Sequence, residues 1–307
     1  MGLTMSTLLH AEPLVRRTQM MMGTYITLEI PESKSTFFNE GFKKMKAVEK
    51  ALSSYDKTAN IYLLNKNHKE SISAYTYEAL EKSSRYYHES DGYFNIAIGA
   101  VSKKLFHFGE VKQYVPSAKA IEEASVDFNG IHYTHTKAWL DKDVSVDLGG
   151  MGKGFGVDKV SAYFSANNIR EGKVQASGDI KCLNQCSIRI QNPFGEGILA
   201  TFNTTKNFTA ISTSGNYERY VESTKNNHLI NPKTKHSAQT FASITLVSTI
   251  SNADIDAYAT AASVMSYEKA IVFLEQRGVW YFLVQSDGSR TYKEPQHFIK
   301  NLRFFKP

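Results

Sequence analysis

Apolar and polar residues change rhythm several times along this chain, and each change marks an element. Residues 21–30, MMGTYITLEI, read as a strand entered through Gly23 and ended by Pro31. Phe38, Phe42, Met45 and Leu52 then recur at helical spacing until the polar Ser53-Ser54-Tyr55-Asp56 stops them. Thr76 fits the N-cap of a helix over 77–89. Asp91-Gly92 predicts a tight turn and Asn129-Gly130 a hairpin. Between 103 and 143 the amphipathic fragments have no evident order.

The second half is clearer. Residues 144–148 alternate as a strand, and Gly149, Gly150, Gly152 and Gly154 then crowd around Lys153. Val157, Val160, Phe164 and Ile169 outline a helix after them. Residues 173–183 form a strand broken at Ser177-Gly178-Asp179, and short strands follow at 187–191, 198–203 and 208–212. A strand over 243–248, helices from Asn252 and over 267–276, and a strand over 280–285 complete the pattern. Strands and helices without a strict βα repeat predict an α+β fold of mixed β-sheets with flanking helices.

Composition sharpens this only in places. A chain of 307 residues suits one large domain, here 21–307 behind an N-terminal tail of 1–20. A net charge of +6 suits an anionic partner, but the lysines form no basic run, so nucleic acid is not expected. Cys182 and Cys186 lack the second pair and histidines of a zinc site, and read as structural thiols with a local disulfide as the lesser alternative. Leu8-Leu9-His10-Ala11 is similar to the end of a secretory signal but has no basic segment before it. No apolar stretch approaches the roughly 18–20 residues of a membrane span.

Strand, glycine turn and helix N-terminus together make a plausible phosphate cradle. It is neither of the common ones. A P-loop needs Ser or Thr after the lysine of Gly152-Lys153, where Gly154 stands, and the alternating glycines do not give the dinucleotide-binding spacing. Asp256 and Thr260 are spaced i, i+4 and offer two hard oxygens on one helix face, suited to Mg²⁺ or simply to a surface hydrogen bond. Asp254 is a competing ligand. On spacing alone, Tyr55 is a surface aromatic and His228 a strand-end histidine. The GxSxG and HExxH motifs are absent, which removes support for the common hydrolase and zinc readings.

Eight blocks in order resemble the ApbE family of FAD:protein FMN transferases. They are MMGTY, LSSYDKTANIYLLN, DGYFNIAIGAV, VDLGGMGKGFGVD (close to the family's DLGGIAKGYAVD), ASGDI, STSGNYER, HLINPKT and DAYATAASVM. The resemblance implies an FAD site in a cleft between two lobes, contacted by Met22, Tyr55, Tyr93, Phe94, Asn95, Asp147, Lys153 and Ile230. It implies Mg²⁺ held by the Gly150 carbonyl, Asp256 and Thr260, with His228 as the base and Asp256 also essential. The implied reaction moves FMN from FAD, the substrate, to a threonine or serine hydroxyl of an acceptor protein and releases AMP. A Mg²⁺-dependent FAD pyrophosphatase and a non-catalytic FAD-binding protein are the alternatives. Relatives of this kind point to a periplasmic or exported protein, with a cytoplasmic one as the other reading. The chain departs from the family pattern at Asn95 and Asn231, where carboxylates are usual, at Thr234-Lys235, and at Ser177.

Overall fold

The strand Phe241–Ser248 is buried at every position, which places it inside a sheet covered on both faces. The computed structural model, which describes residues 12–294 and 297–305, shows that sheet. Its eight strands run in the order Leu14–Met21, Thr24–Pro31, Lys173–Ala176, Asp179–Cys182, Thr209–Gly215, Phe241–Ser248, Trp280–Gln285 and Arg290–Tyr292, every neighbouring pair antiparallel. One face carries the helices Phe38–Leu52, Gly152–Ala166 and Asn252–Ser263. Phe42, Met45, Val157, Val160 and Phe164 meet Ile26, Leu28 and Val174 there, and each such burial contributes about 1.5–3 kcal/mol. On the other face, Ile211, Val247, Trp280 and Phe282 pack against a small sheet of Ser187–Gln191, Ile198–Thr204 and Ile299–Phe304. The fold is α+β, as the pattern predicts.

Two of the helices are latched to each other. Asp158, on the glycine helix Gly152–Ala166, accepts the Asn252 and Ala253 N–H groups at 2.8 and 2.9 Å. Asp256, on the helix Asn252–Ser263, accepts the Gly154 N–H at 3.0 Å. Each helix thus caps the other's exposed amides with a carboxylate, at the end where the helix dipole favours negative charge. The approach is so close that a Cβ at Gly154 would collide with the Asn252 carbonyl.

Five local expectations differ in the structure. Residues 144–148 form no ladder; Val144, Val146 and Leu148 are buried as expected, and Ser145 between them is buried too. The Asn65 side chain takes the place of a partner strand: its Oδ1 accepts from Val146 N–H (2.7 Å) and its Nδ2 donates to the Val146 carbonyl (2.8 Å). The helix expected at 77 begins at Ala74, because Ser73 Oγ accepts the Thr76 N–H. Thr76 is fully buried and bonds Asn60 instead. Asn129-Gly130 closes a 3₁₀ turn, and the hairpin of Ile131–Tyr133 with Lys137–Leu140 turns after it at 134–136. Cys182 and Cys186 are joined as a disulfide, the lesser of the two readings. The strand Leu14–Met21 also draws residues 14–20, which the sequence places in a tail, into the main sheet. The Leu8–Ala11 segment lies outside the described residues.

Candidate active site

The latched helix ends bring the glycine stretch beside Asp179 and Asp256. Lys153 lies in the first turn of its helix, with Nζ 3.0 Å from Asp179 Oδ2 and 3.7 Å from Asp256 Oδ2. Burial pushes the ammonium down, but the two carboxylates outweigh it and hold Lys153 above its usual value. Asp179 is fully buried, with Oδ1 accepting from Ser212 Oγ at 2.6 Å. Its Oδ2 has charge contact with Lys153 but no aligned donor. Burial and the adjacent Asp179 push Asp256 well above the carboxylate range, against the pull of Lys153 and the Gly154 N–H. Two buried carboxyl groups therefore share one ammonium, and the mismatch shows as a raised proton affinity at Asp256.

Gly150 and Thr260 complete this wall. Thr260 Oγ1 donates to the Gly150 carbonyl at 3.1 Å, and Thr260 stands one turn after Asp256 on the same helix. A Cβ at Gly150 would meet Thr260 Cγ2 at 2.9 Å and the Phe94 ring at 3.3 Å. A carbonyl, a hydroxyl and a carboxylate are hard donors of the kind Mg²⁺ takes. Among the described residues no three His, Cys, Asp or Glu side chains converge. A cation here would rest on mixed oxygens and on the substrate. The raised proton affinity of Asp256 and the unaligned Asp179 oxygen fit such an ion.

Asp147 forms a second anchor. Its Oδ1 accepts from Gly149 N–H at 2.9 Å, its Oδ2 from Ser102 Oγ at 2.8 Å, and Lys103 Nζ lies 3.6 Å away. Burial raises its pKa, but Lys103, the Gly149 N–H, Ser102 and Arg219 together hold it below the usual value. Lys103 reaches the Tyr55 hydroxyl and sits 3.9 Å from that ring's centroid. Tyr55 Oη also donates to the Phe108 carbonyl at 2.7 Å, so this half-exposed ring is tied to the Asp147 corner. Met22 sits at the turn between the first two strands with φ 54°, its N–H on Glu49 and its side chain against Gly152 and Gly156.

His228 is half-buried and hydrogen-bonded through Nδ1 with the Arg219 carbonyl at 3.1 Å. Burial, Arg219 and Lys153 push its pKa down to about 4 against that hydrogen bond and Asp147, so the ring is neutral at pH 7. Ile230 is buried among Val101, Phe106, Phe108 and Val221. Asn95 spends its amide on the Ala97 N–H and the Val126 carbonyl, and lines a crevice of about 400 Å³ with Asp91 and Lys233. Asn231 is spent likewise, on the Lys233 N–H and the Val264 carbonyl. In both, the amide nitrogen donates to a backbone carbonyl, which a carboxylate could not do. Tyr93 carries Lys233 and Lys269 over its ring, while Phe94 packs edge-on to Tyr86.

Sequence reasoning assigned no role to four residues that the structure places here: Ser102, Lys103, Asp179 and Arg219. Asp179 had a signal, a carboxylate at a strand break inside a matched block. Lys103 lies where the sequence pattern has no readable order.

Comparison with known proteins places this site in context. The profile of the ApbE family matches residues 22–283, which takes in the glycine stretch and the Asp256 helix. The chain belongs to the ApbE family. Within it, the chain is 28% identical to an FAD:protein FMN transferase of Treponema pallidum over 65% of its own length and 62% of that protein's. It is 24% identical to an FAD:protein FMN transferase of Klebsiella pneumoniae over 84% of each. Among solved structures, the ApbE flavin transferase of Vibrio cholerae superposes with a TM-score of 0.80 at 19% identity, covering 92% of this chain and 98% of that one. The ApbE protein of Thermotoga maritima gives 0.82 at 22%, covering 92% and 97%. At these identities the structural likeness shows the ApbE fold. The reaction is argued from the site.

Proposed function

We propose that this protein transfers FMN from FAD to a threonine or serine hydroxyl of an acceptor protein and releases AMP. The supporting observation is the cluster of Lys153, Asp179 and Asp256 beside Gly150 and Thr260, in a chain whose curated relatives are FAD:protein FMN transferases. The acceptor oxygen attacks the phosphorus of the FMN half, and the bond to the AMP phosphate breaks as that bond forms. Lys153 neutralises pyrophosphate charge, and the N-terminus of its helix adds a positive dipole end. Neutral His228 takes the hydroxyl proton, and the bound pyrophosphate raises its basicity. Asp147, braced by Gly149 and Ser102, holds the opposite corner with Lys103 and Tyr55. Gly150, Asp256 and Thr260 are the residues that would hold Mg²⁺. When bound, the ion would supply charge neutralisation on the pyrophosphate.

Mass spectrometry of an acceptor domain incubated with FAD, Mg²⁺ and this protein tests the proposal. The expected result is an FMN mass on one hydroxyl residue and an equal amount of AMP. FMN released into solution with the acceptor unmodified would assign the protein as a pyrophosphatase. Intact FAD after long incubation would assign it as a binding protein. His228→Ala abolishes transfer while FAD binding persists, which flavin fluorescence reads separately.

A further inference from the structure

Asp179 and Lys181 lie on the same face of the strand Asp179–Cys182, because side chains two residues apart point the same way. Asp179 serves the candidate active site. Lys181 lines a different space, an open cavity of about 460 Å³ walled by the helices Ala74–Glu89 and Gly152–Ala166 and the turn at 249–251. None of Gly150, Lys153, Asp179, His228, Asp256 and Thr260 contributes to it.

Lys181 is 7% exposed and makes one hydrogen bond among the described residues, to the Ile250 carbonyl at 3.0 Å. An ammonium has three donors, so two of them have no protein acceptor. Asp158, the carboxylate beside it on the cavity wall, has both oxygens committed to Asn252 and Ala253. Lys159 is paired with Glu78 at 2.5 Å, and Lys82 stands 3.8 Å from Asp254. The lining carries three lysines, Lys82, Lys159 and Lys181, against Glu78 and Asp158, a surplus of one positive charge. Phe208 supplies an apolar side, with the buried Phe155 ring beneath Lys159. Burial holds Lys181 below the usual lysine value, a deficit that an arriving anion would reverse.

We propose that this cavity binds a small organic monoanion, its carboxylate on Lys181 and its apolar body against Phe208. The site is separate from the candidate active site.

Benzoate is the probe, with benzyl alcohol and benzylamine as neutral and cationic controls, each titrated into the whole protein by ligand-observed NMR. Saturable binding of benzoate, and of neither control, is expected. Lys181→Met weakens it at least about tenfold, the usual worth of a charge-assisted hydrogen bond. Ala162→Trp, at an exposed position on the cavity wall, abolishes it without entering the core. Benzoate binding that survives Ala162→Trp, or the absence of saturable binding to the folded wild type, overturns the proposal. If Lys181→Met does not fold, Ala162→Trp decides. Either result leaves the flavin-transfer reading untouched, because that reading is tested at the other site.

Discussion

Asp158 and Asp256 each accept amide protons from the first turn of the other's helix, yet only Asp256 belongs to the candidate active site. Burial pushes both above the usual carboxylate value. What differs is how each carboxylate is compensated. Asp158 has an N–H on each oxygen, so its charge is consumed in holding the helix pair together. Asp256 has one N–H, a lysine that it shares with Asp179, and that second carboxylate pressing against it. The same structural role leaves one group saturated and the other short of positive charge. The shortfall is what a bound cation would offset.

The largest effect should come from Asp256→Asn, which keeps an acceptor for Gly154 but removes the charge. Transfer should fall about a thousandfold with the fold intact, measured as acceptor mass against time. Next is Gly154→Ala, whose new methyl runs into the Asn252 carbonyl. It should cost about 3 kcal/mol in denaturant unfolding by separating the latched helices. Asp158→Ala removes both caps from Asn252 and Ala253 and should cost about 2 kcal/mol, with transfer changed only a few-fold. A collapse of transfer as deep as that of Asp256→Asn would erase the proposed distinction.

The smallest effect is on stability and comes from the titration of His228. Its folded value of about 4 lies below the ordinary 6.5, so the unfolded chain binds the extra proton first as pH falls. The native state should lose stability from about pH 6.5 down to 4 and show no such loss above 6.5. Because the ring is only half-buried, the effect should stay under about 1 kcal/mol, read as the difference between wild type and His228→Gln in melting temperature across that range.

How much of this was legible from residues follows from what kind of partner each residue has. The strand Trp280–Gln285 was readable as a short continuous apolar run, because all its positions but the last are buried, and the helix of Lys153 by the spacing of Val157, Val160 and Phe164. Asp256 and Thr260 were readable as a pair, since one helix turn joins them. Asp179 beside Lys153 was not, because a strand hairpin and a helix meet there through the tertiary fold. The expected strand at 144–148 failed for a related reason: alternation records which side chains are buried, and it is silent on what satisfies the backbone. Asn95 and Asn231 look in the sequence like lost ligand charges. In the structure they are amides bonded at both ends to backbone, so their chemistry is explained by the loops they brace.

The Asn65 clamp on Val146 has a further consequence for motion. A strand in a sheet releases its amides only as neighbours are stripped away in succession. Val146 is pinned by one side-chain amide, and Asp147 beside it by its own N–H on the Ile96 carbonyl at 2.8 Å. Hydrogen exchange at Val146 therefore reports the opening of that clamp, while the amides of Phe241–Ser248 wait for the whole domain to unfold. Asp147 follows Val146 directly, so the backbone of that corner is held by a side chain and a loop carbonyl rather than by a strand ladder.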